Sequence, residues 1–150
     1  MKKRLTINLN KKSTVELLKV SSGSLIVGAY EGPFTEELKK IDEVSKGQLK
    51  KLRKLGELNG KLGQWNYLPA LTGIRAQRTY LVGCGKKGKK LTRQEAIKIL
   101  TKMVSATISS KSSSAFISVP KLIVKGEGDN WIIQQLSYLC ENNSYTYDAK

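Results

Sequence analysis

The chain has 150 residues, enough for one domain with a real core, and its 39% hydrophobic and 26% charged residues are ordinary for a soluble globular protein. It has no histidine, which removes Ser-His-Asp and Cys-His catalysis, His-based zinc sites and the commonest general base, and no apolar run approaches the roughly 18 residues a membrane span needs. The net charge is +15, and fifteen Lys or Arg between Lys46 and Lys102 stand against only Glu57 and Glu95, a field that favours nucleic acid or another polyanion.

Met1-Lys2-Lys3-Arg4 is basic but leads into no signal-peptide core, so the expected compartment is the cytoplasm, with no membrane partner. Leu5, Ile7 and Leu9 alternate with Thr6 and Asn8 as in a half-buried strand. Val15 to Val20 reads as a short strand or part of a loop. Leu25 to Tyr30 is the clearest central strand, short, apolar and bounded by turns. Thr35 reads as a helix N-cap, with Glu36 and Glu37 at the positive end of the dipole and Leu38, Ile41 and Val44 or Ser45 as the inner stripe. Gly47 breaks that helix. Leu49, Leu52 and Leu55 begin a second stripe, with Lys50, Lys51, Arg53 and Lys54 on wet faces.

Gly56 to Gly63 is turn-rich. Gln64 to Leu68 fits a strand that puts Trp65 and Tyr67 on one face and Asn66 on the other. The two aromatics suit sheet packing or stacking on a base. Tyr80, Leu81 and Val82 read as a strand covered on both faces. Gly83, Gly85 and Gly88 end it in a loop. Thr92 and Glu95 have capping-box spacing, and Ile97, Leu100, Val104 and Ile108 give the helical stripe that follows. Ser109 to Ser114 is a serine-rich loop, and Ala115 to Val119 is another buried strand closed by Pro120. Leu122-Ile123-Val124 falls in a connection. Asp129 caps a last helix with Ile132, Leu136 and Leu139 or Cys140 inside. Cys84 and Cys140 are too few for a disulfide framework and read as two apolar thiols in a reducing compartment.

The glycine segment matches two phosphate-binding patterns by letters. Gly83-x-Gly85-x-x-Gly88 has the spacing of the dinucleotide fingerprint, and Gly83-x-x-x-x-Gly88-Lys89 nearly that of a P-loop. Both fail on context. The cap signal at Thr92 lies after Lys89 and Lys90, so the helix does not start at the glycines, as a pyrophosphate site requires. No Asp or Glu lies between Glu95 and Glu127 to hold a ribose, and Lys90 stands where a P-loop has Ser or Thr.

Taken in order, the segments resemble the N-terminal domain of the cytosolic leucyl aminopeptidase family, the di-metal exopeptidases. The resemblance is carried by Val27-Gly28-x-x-Glu31-Gly32, the helix with Asp42 and Gly47, Gly60-Lys61-x-Gly63-Gln64, Leu68-Pro69 and Arg78-Thr79-Tyr80-Leu81-Val82-Gly83-Cys84-Gly85-Lys86. Family members usually carry leucine where Cys84 stands. The ending, Tyr145-Thr146-Tyr147-Asp148-x-Lys150, resembles the family's entry into its interdomain linker. The domain is thus expected over residues 1–144 and the start of a linker over 145–150.

The resemblance implies a three-layer α/β/α sandwich with a mixed, mainly parallel, macro-domain-like sheet. It implies a full-length protein that removes N-terminal amino acids, leucine preferred, from peptides. Two divalent ions, zinc or manganese, activate the attacking water in a C-terminal catalytic domain absent from this chain. No catalytic, cofactor-binding or metal-binding residue is therefore expected here. The implied partners are the chain's own catalytic domain, the other subunits of a homo-hexamer and, weakly, DNA. Two alternatives stand beside this reading: a stand-alone basic module for DNA or RNA, and a nucleotide or ADP-ribose site at the loops after Val27 and Val82.

Overall fold

A computed structural model describes residues 3–8, 18–19, 23–109, 112–142 and 145–149, the first and last of these spans as backbone. The strands are β1 (Lys3–Asn8), β2 (Ser24–Glu31), β3 (Trp65–Pro69), β4 (Arg78–Lys86), β5 (Lys90–Leu91), β6 (Ser114–Ser118), β7 (Ile123–Val124) and β8 (Tyr145–Ala149). The helices are α1 (Glu36–Val44), α2 (Gln48–Lys54), α3 (Arg93–Ser109) and α4 (Asp129–Asn142).

Six strands form one sheet in the order β3-β4-β2-β6-β1-β8. All neighbours are parallel except β3, which runs antiparallel to β4 on one edge. Parallel strands need crossovers, and those crossovers cover both faces of the sheet. On one face Ile26, Tyr80, Val82 and Ile117 pack under α3 and α4. On the other, Leu25, Val27, Leu81 and Phe116 pack under α1 and α2. The alternation of Leu25 and Val27 against Ile26 assigns successive residues of β2 to opposite layers, so the strand is apolar throughout. This is the expected α/β/α sandwich.

Local signals set the helix starts. Thr35 Oγ1 accepts from the Leu38 N–H at 3.3 Å, as an N-cap does. Gly47, at φ +81°, separates α1 from α2. The buried carboxylate of Asp42 then spans the break, accepting from the Lys50 N–H at 2.9 Å and so satisfying an orphan amide at the start of α2.

The structure departs from the sequence reading in four places. Ile97 and Ile108 are exposed, while Ala96, Ile99, Leu100, Met103 and Val104 are buried. At 100° per residue those two isoleucines lie roughly 100° or more from the centre of the buried stripe. Leu55 follows α2 and is 74% exposed, so the second stripe keeps Leu49 and half-buried Leu52 alone. Leu122-Ile123-Val124 is more than a connection, because Ile123 and Val124 pair in parallel with Lys90 and Leu91 as a second, two-stranded sheet. Tyr145–Ala149, read as the start of a linker, is a strand that pairs with β1 at the edge of the main sheet. The proposed segment at Val15 to Val20 lies outside the described residues apart from Leu18 and Lys19. So do the side chains of the alternating strand at Leu5 to Leu9.

Candidate functional site

The glycine segment is a packing device. Gly83 lies where the loop Gly60–Gln64 crosses β4. Its N–H donates to the Gln64 carbonyl at 2.6 Å, and its carbonyl accepts from the Gly63 N–H at 3.0 Å. A Cβ on Gly83 would fall on the Lys61 carbonyl, and one on Gly60 on the Tyr30–Glu31 peptide. Gly85 donates to the Gly60 carbonyl at 2.9 Å, and its φ of +79° falls where the β2–β4 register shifts, between the Ala29–Gly83 and Glu31–Lys86 pairs. Gln64 Oε1 ties off the same loop by accepting from the Asn59 and Gly60 N–H groups.

The helix after this segment is also closed to a phosphate. Thr92 N–H donates to Glu95 Oε1 at 3.0 Å, and Glu95 N–H donates to Thr92 Oγ1 at 3.1 Å. That is the reciprocal capping box read from the sequence. The Thr92 N–H holds the Glu95 carboxyl below its ordinary range. Lys86, Lys87, Lys89 and Lys90 are all exposed around the turn that precedes β5.

A cleft of about 420 Å³ opens instead at the carboxyl ends of β2 and β6, between the start of α1 and the β4–β5 turn. Open parallel sheets present ligand sites at this edge, and the volume is that of a small-molecule site. Gly28 and Pro120 form part of its wall, and their close approach leaves no room for a side chain at position 28. Tyr30 donates its hydroxyl to the Lys121 carbonyl at 2.6 Å, and burial pushes its phenol well above the ordinary value. Glu37, in the first turn of α1, receives a hydrogen bond from Ser118 Oγ at 3.1 Å on Oε2. Burial raises its carboxyl above the ordinary 4.5, against the lowering effect of that hydrogen bond. Among the described residues no Lys or Arg forms an ion pair with Glu37. Lys87 and Ile123 complete the rim.

Arg53 holds the wall of this cleft from behind. It is half-buried, which corrects its assignment to a solvated face. Its guanidinium donates to the carbonyls of Gly32, Tyr30 and Leu58 and lies 4.3 Å from the centre of the Phe34 ring. The β2–α1 loop is thereby clamped to α2. Lys50, Lys51 and Lys54 are exposed, as read.

Trp65 and Tyr67 stack on Tyr80 of β4, with ring centroids 5.5 and 4.9 Å apart. They brace the antiparallel edge of the sheet while staying about half exposed. Cys84 and Cys140 are buried free thiols, each pushed up to about 12 by burial. Among the described residues no three His, Cys, Asp or Glu are grouped to hold a metal ion, and no helix is long and apolar enough to cross a membrane.

Sequence reasoning had an alternative site at the loops after Val27 and Val82, and residues of both loops line this cleft, but it missed Glu37. Glu37 reads locally as a helix-dipole partner, and only Ser118, 81 residues away, shows that it is drawn inward.

Residues 26–150 match the family described as the cytosol aminopeptidase family, N-terminal domain. A probable cytosol aminopeptidase of Tolumonas auensis is 32% identical over 131 residues, covering 87% of this chain and 26% of that protein. The probable cytosol aminopeptidase of Shewanella frigidimarina is 31% identical over 132 residues with the same coverage. The chain thus spans 26% of the length of these curated relatives. Among solved structures, the macrodomain of Mycobacterium tuberculosis DarG aligns with TM-score 0.65 at 13% identity, over 95% of each chain. The macrodomain of Thermus aquaticus DarG aligns with TM-score 0.63 at 10% identity, over 97% of this chain and 96% of that one. At such identities the likeness is one of fold, and the macro-like architecture is what the two share with this chain.

Proposed function

The chain belongs to the cytosol aminopeptidase family, as its N-terminal domain, and on that premise we propose that it is the non-catalytic part of a cytoplasmic metallo-aminopeptidase. The full-length protein releases N-terminal amino acids, leucine preferred, from peptides. Hydrolysis is assigned to a C-terminal catalytic domain with two divalent ions, zinc or manganese, and to a homo-hexameric assembly. The observation that carries this reading is the family match over residues 26–150, joined to relatives of which the chain spans 26%. The residues behind the resemblance support a scaffold role. Gly60, Gln64, Gly83 and Gly85 knit a loop onto the sheet.

The test has two parts. Pure 150-residue chain is assayed on a leucyl substrate with added manganese or zinc, and no hydrolysis is expected. Metal-dependent turnover by this chain alone would overturn its assignment as non-catalytic. The natural reading frame is then followed past Lys150. Continuation into a region with clustered Asp, Glu and Lys is expected of the parent enzyme, and a stop there would refute it.

The exposed lysines of α2 and of the β4–β5 turn favour one further partner, DNA, bound weakly and without sequence preference. Affinity should fall steeply as salt rises, since phosphate contacts release counterions. A salt-insensitive, sequence-selective complex would contradict this part of the reading.

A further inference from the structure

The cleft at the carboxyl ends of β2 and β6 has a polarity that selects among ligands. Phosphate-binding sites on α/β sheets offer free amides at a helix N-terminus. Here the helix facing the cleft, α1, opens with Thr35 as its cap and with Glu36 and Glu37 in its first turn. A phosphate placed there would meet two carboxylates. The α1 end of the cleft therefore disfavours the phosphates of a nucleotide or ADP-ribose.

Glu37 asks for the opposite partner. Its carboxyl is partly withdrawn from water, one oxygen is held by Ser118, and no cation of the described chain pairs with it. A half-buried carboxylate with no ion-pair partner is favoured by a ligand that brings a further donor. An ammonium group meets that need with both charge and N–H bonds. Lys87 and Lys121 are exposed and also belong to the lining, where a carboxylate would be attracted. The apolar part of the lining comes from the Tyr30 ring, Pro120 and Ile123. Ile123 is 41% exposed, an unpaid apolar surface beside the polar groups.

From this arrangement we infer that the cleft is a binding site for a small zwitterion with an apolar side chain, a free α-amino acid such as leucine, with its ammonium on Glu37 and its carboxylate toward Lys87 and Lys121. The binding inference stands on the cleft alone. That the ligand in the cell is an amino acid released by the enzyme, giving product a second site outside the catalytic domain, rests on the aminopeptidase reading above.

The experiment is an amide-resolved NMR titration of the 150-residue chain with three probes. Leucine should give saturable shifts at Gly28, Tyr30, Gly88 and Ile123. Leucinamide keeps the ammonium and should shift the same amides. N-acetyl-leucine, which lacks the ammonium, should not. Glu37→Gln keeps an acceptor for Ser118 and should weaken leucine at least tenfold. The double variant Lys87→Ala/Lys121→Ala alters exposed side chains only. It should weaken leucine severalfold and leave leucinamide unchanged. Equal binding of N-acetyl-leucine, stronger binding of AMP or inorganic phosphate at the same amides, or no saturable shift up to ~10 mM leucine would each overturn the site. The readout involves no peptide hydrolysis, so its failure and the failure of the aminopeptidase reading are separate results.

Discussion

Replacing Gly83 by alanine tests whether the glycine segment is a ligand loop or a packing device. In the structure a methyl group at this position falls on the Lys61 carbonyl, with the Lys61 carbonyl carbon at 2.8 Å and the Gly60 carbonyl carbon at 3.0 Å. These are backbone atoms and cannot rotate away. The loop has to lift, and it takes with it the hydrogen bonds of Gly63 and Gln64 to Gly83. Overpacking of this kind costs about 1–3 kcal/mol, and each weakened hydrogen bond about 1 kcal/mol more. The expected loss is about 3–5 kcal/mol, a fall in Tm of about 10 °C for a domain of this size. Gly88 is the internal control. It also has positive φ, +80°, but nothing lies within 4 Å of the added methyl, so Gly88→Ala should cost only the left-handed strain of about 1–2 kcal/mol. Urea unfolding followed by Trp fluorescence reads both variants, since Trp65 stacks on Tyr80 beside the same loop. A Gly83→Ala protein within 1 kcal/mol of wild type, or a Gly88→Ala protein equally damaged, would refute the packing argument.

Other outcomes follow from single contacts. Thr92→Ala removes one half of the capping box and should lower stability by about 1 kcal/mol, while Thr92→Ser should retain most of it, as thermal melts would show. Glu37→Gln should raise Tm at neutral pH. Burial lifts the folded-state carboxyl above its ordinary 4.5, so the stability associated with the protonated form is present below that value and lost as pH rises through the lifted one. The gain of the variant should therefore grow between acid and neutral pH, and a pH-independent difference would contradict the burial. Cys84 and Cys140, buried and pushed up to about 12, should resist alkylation in the native chain and react only on unfolding. Mass spectrometry after brief iodoacetamide treatment at pH 8 decides this.

Much of the architecture was legible residue by residue because its causes are local. The Thr35 cap, the Thr92–Glu95 box, the break at Gly47 and the apolar runs of β2, β4 and β6 depend on neighbours within one or two turns. The shared face of Trp65 and Tyr67 came from simple alternation. The order of these segments also carried the family, which the match over residues 26–150 shows.

What the chain's letters could not decide lay in contacts between distant segments. Sequence context rejects Gly83 as a phosphate-loop glycine, but only the structure shows the Gly60–Gln64 loop, some twenty residues earlier, crossing it. Arg53 sits among lysines in sequence, yet it alone turns inward, because the carbonyls that end β2 lie within its reach. Lys90–Leu91 pairs with Ile123–Val124 across more than thirty residues, too short a strand at either end to leave a periodic signal. Glu37 is a surface acid by pattern and a cleft acid by topology. Composition, caps and alternation determined most of the elements and their order along the chain. Only the packing of the layers decided which side chains lost their water, and withdrawal from water is what turns a charged residue into a site.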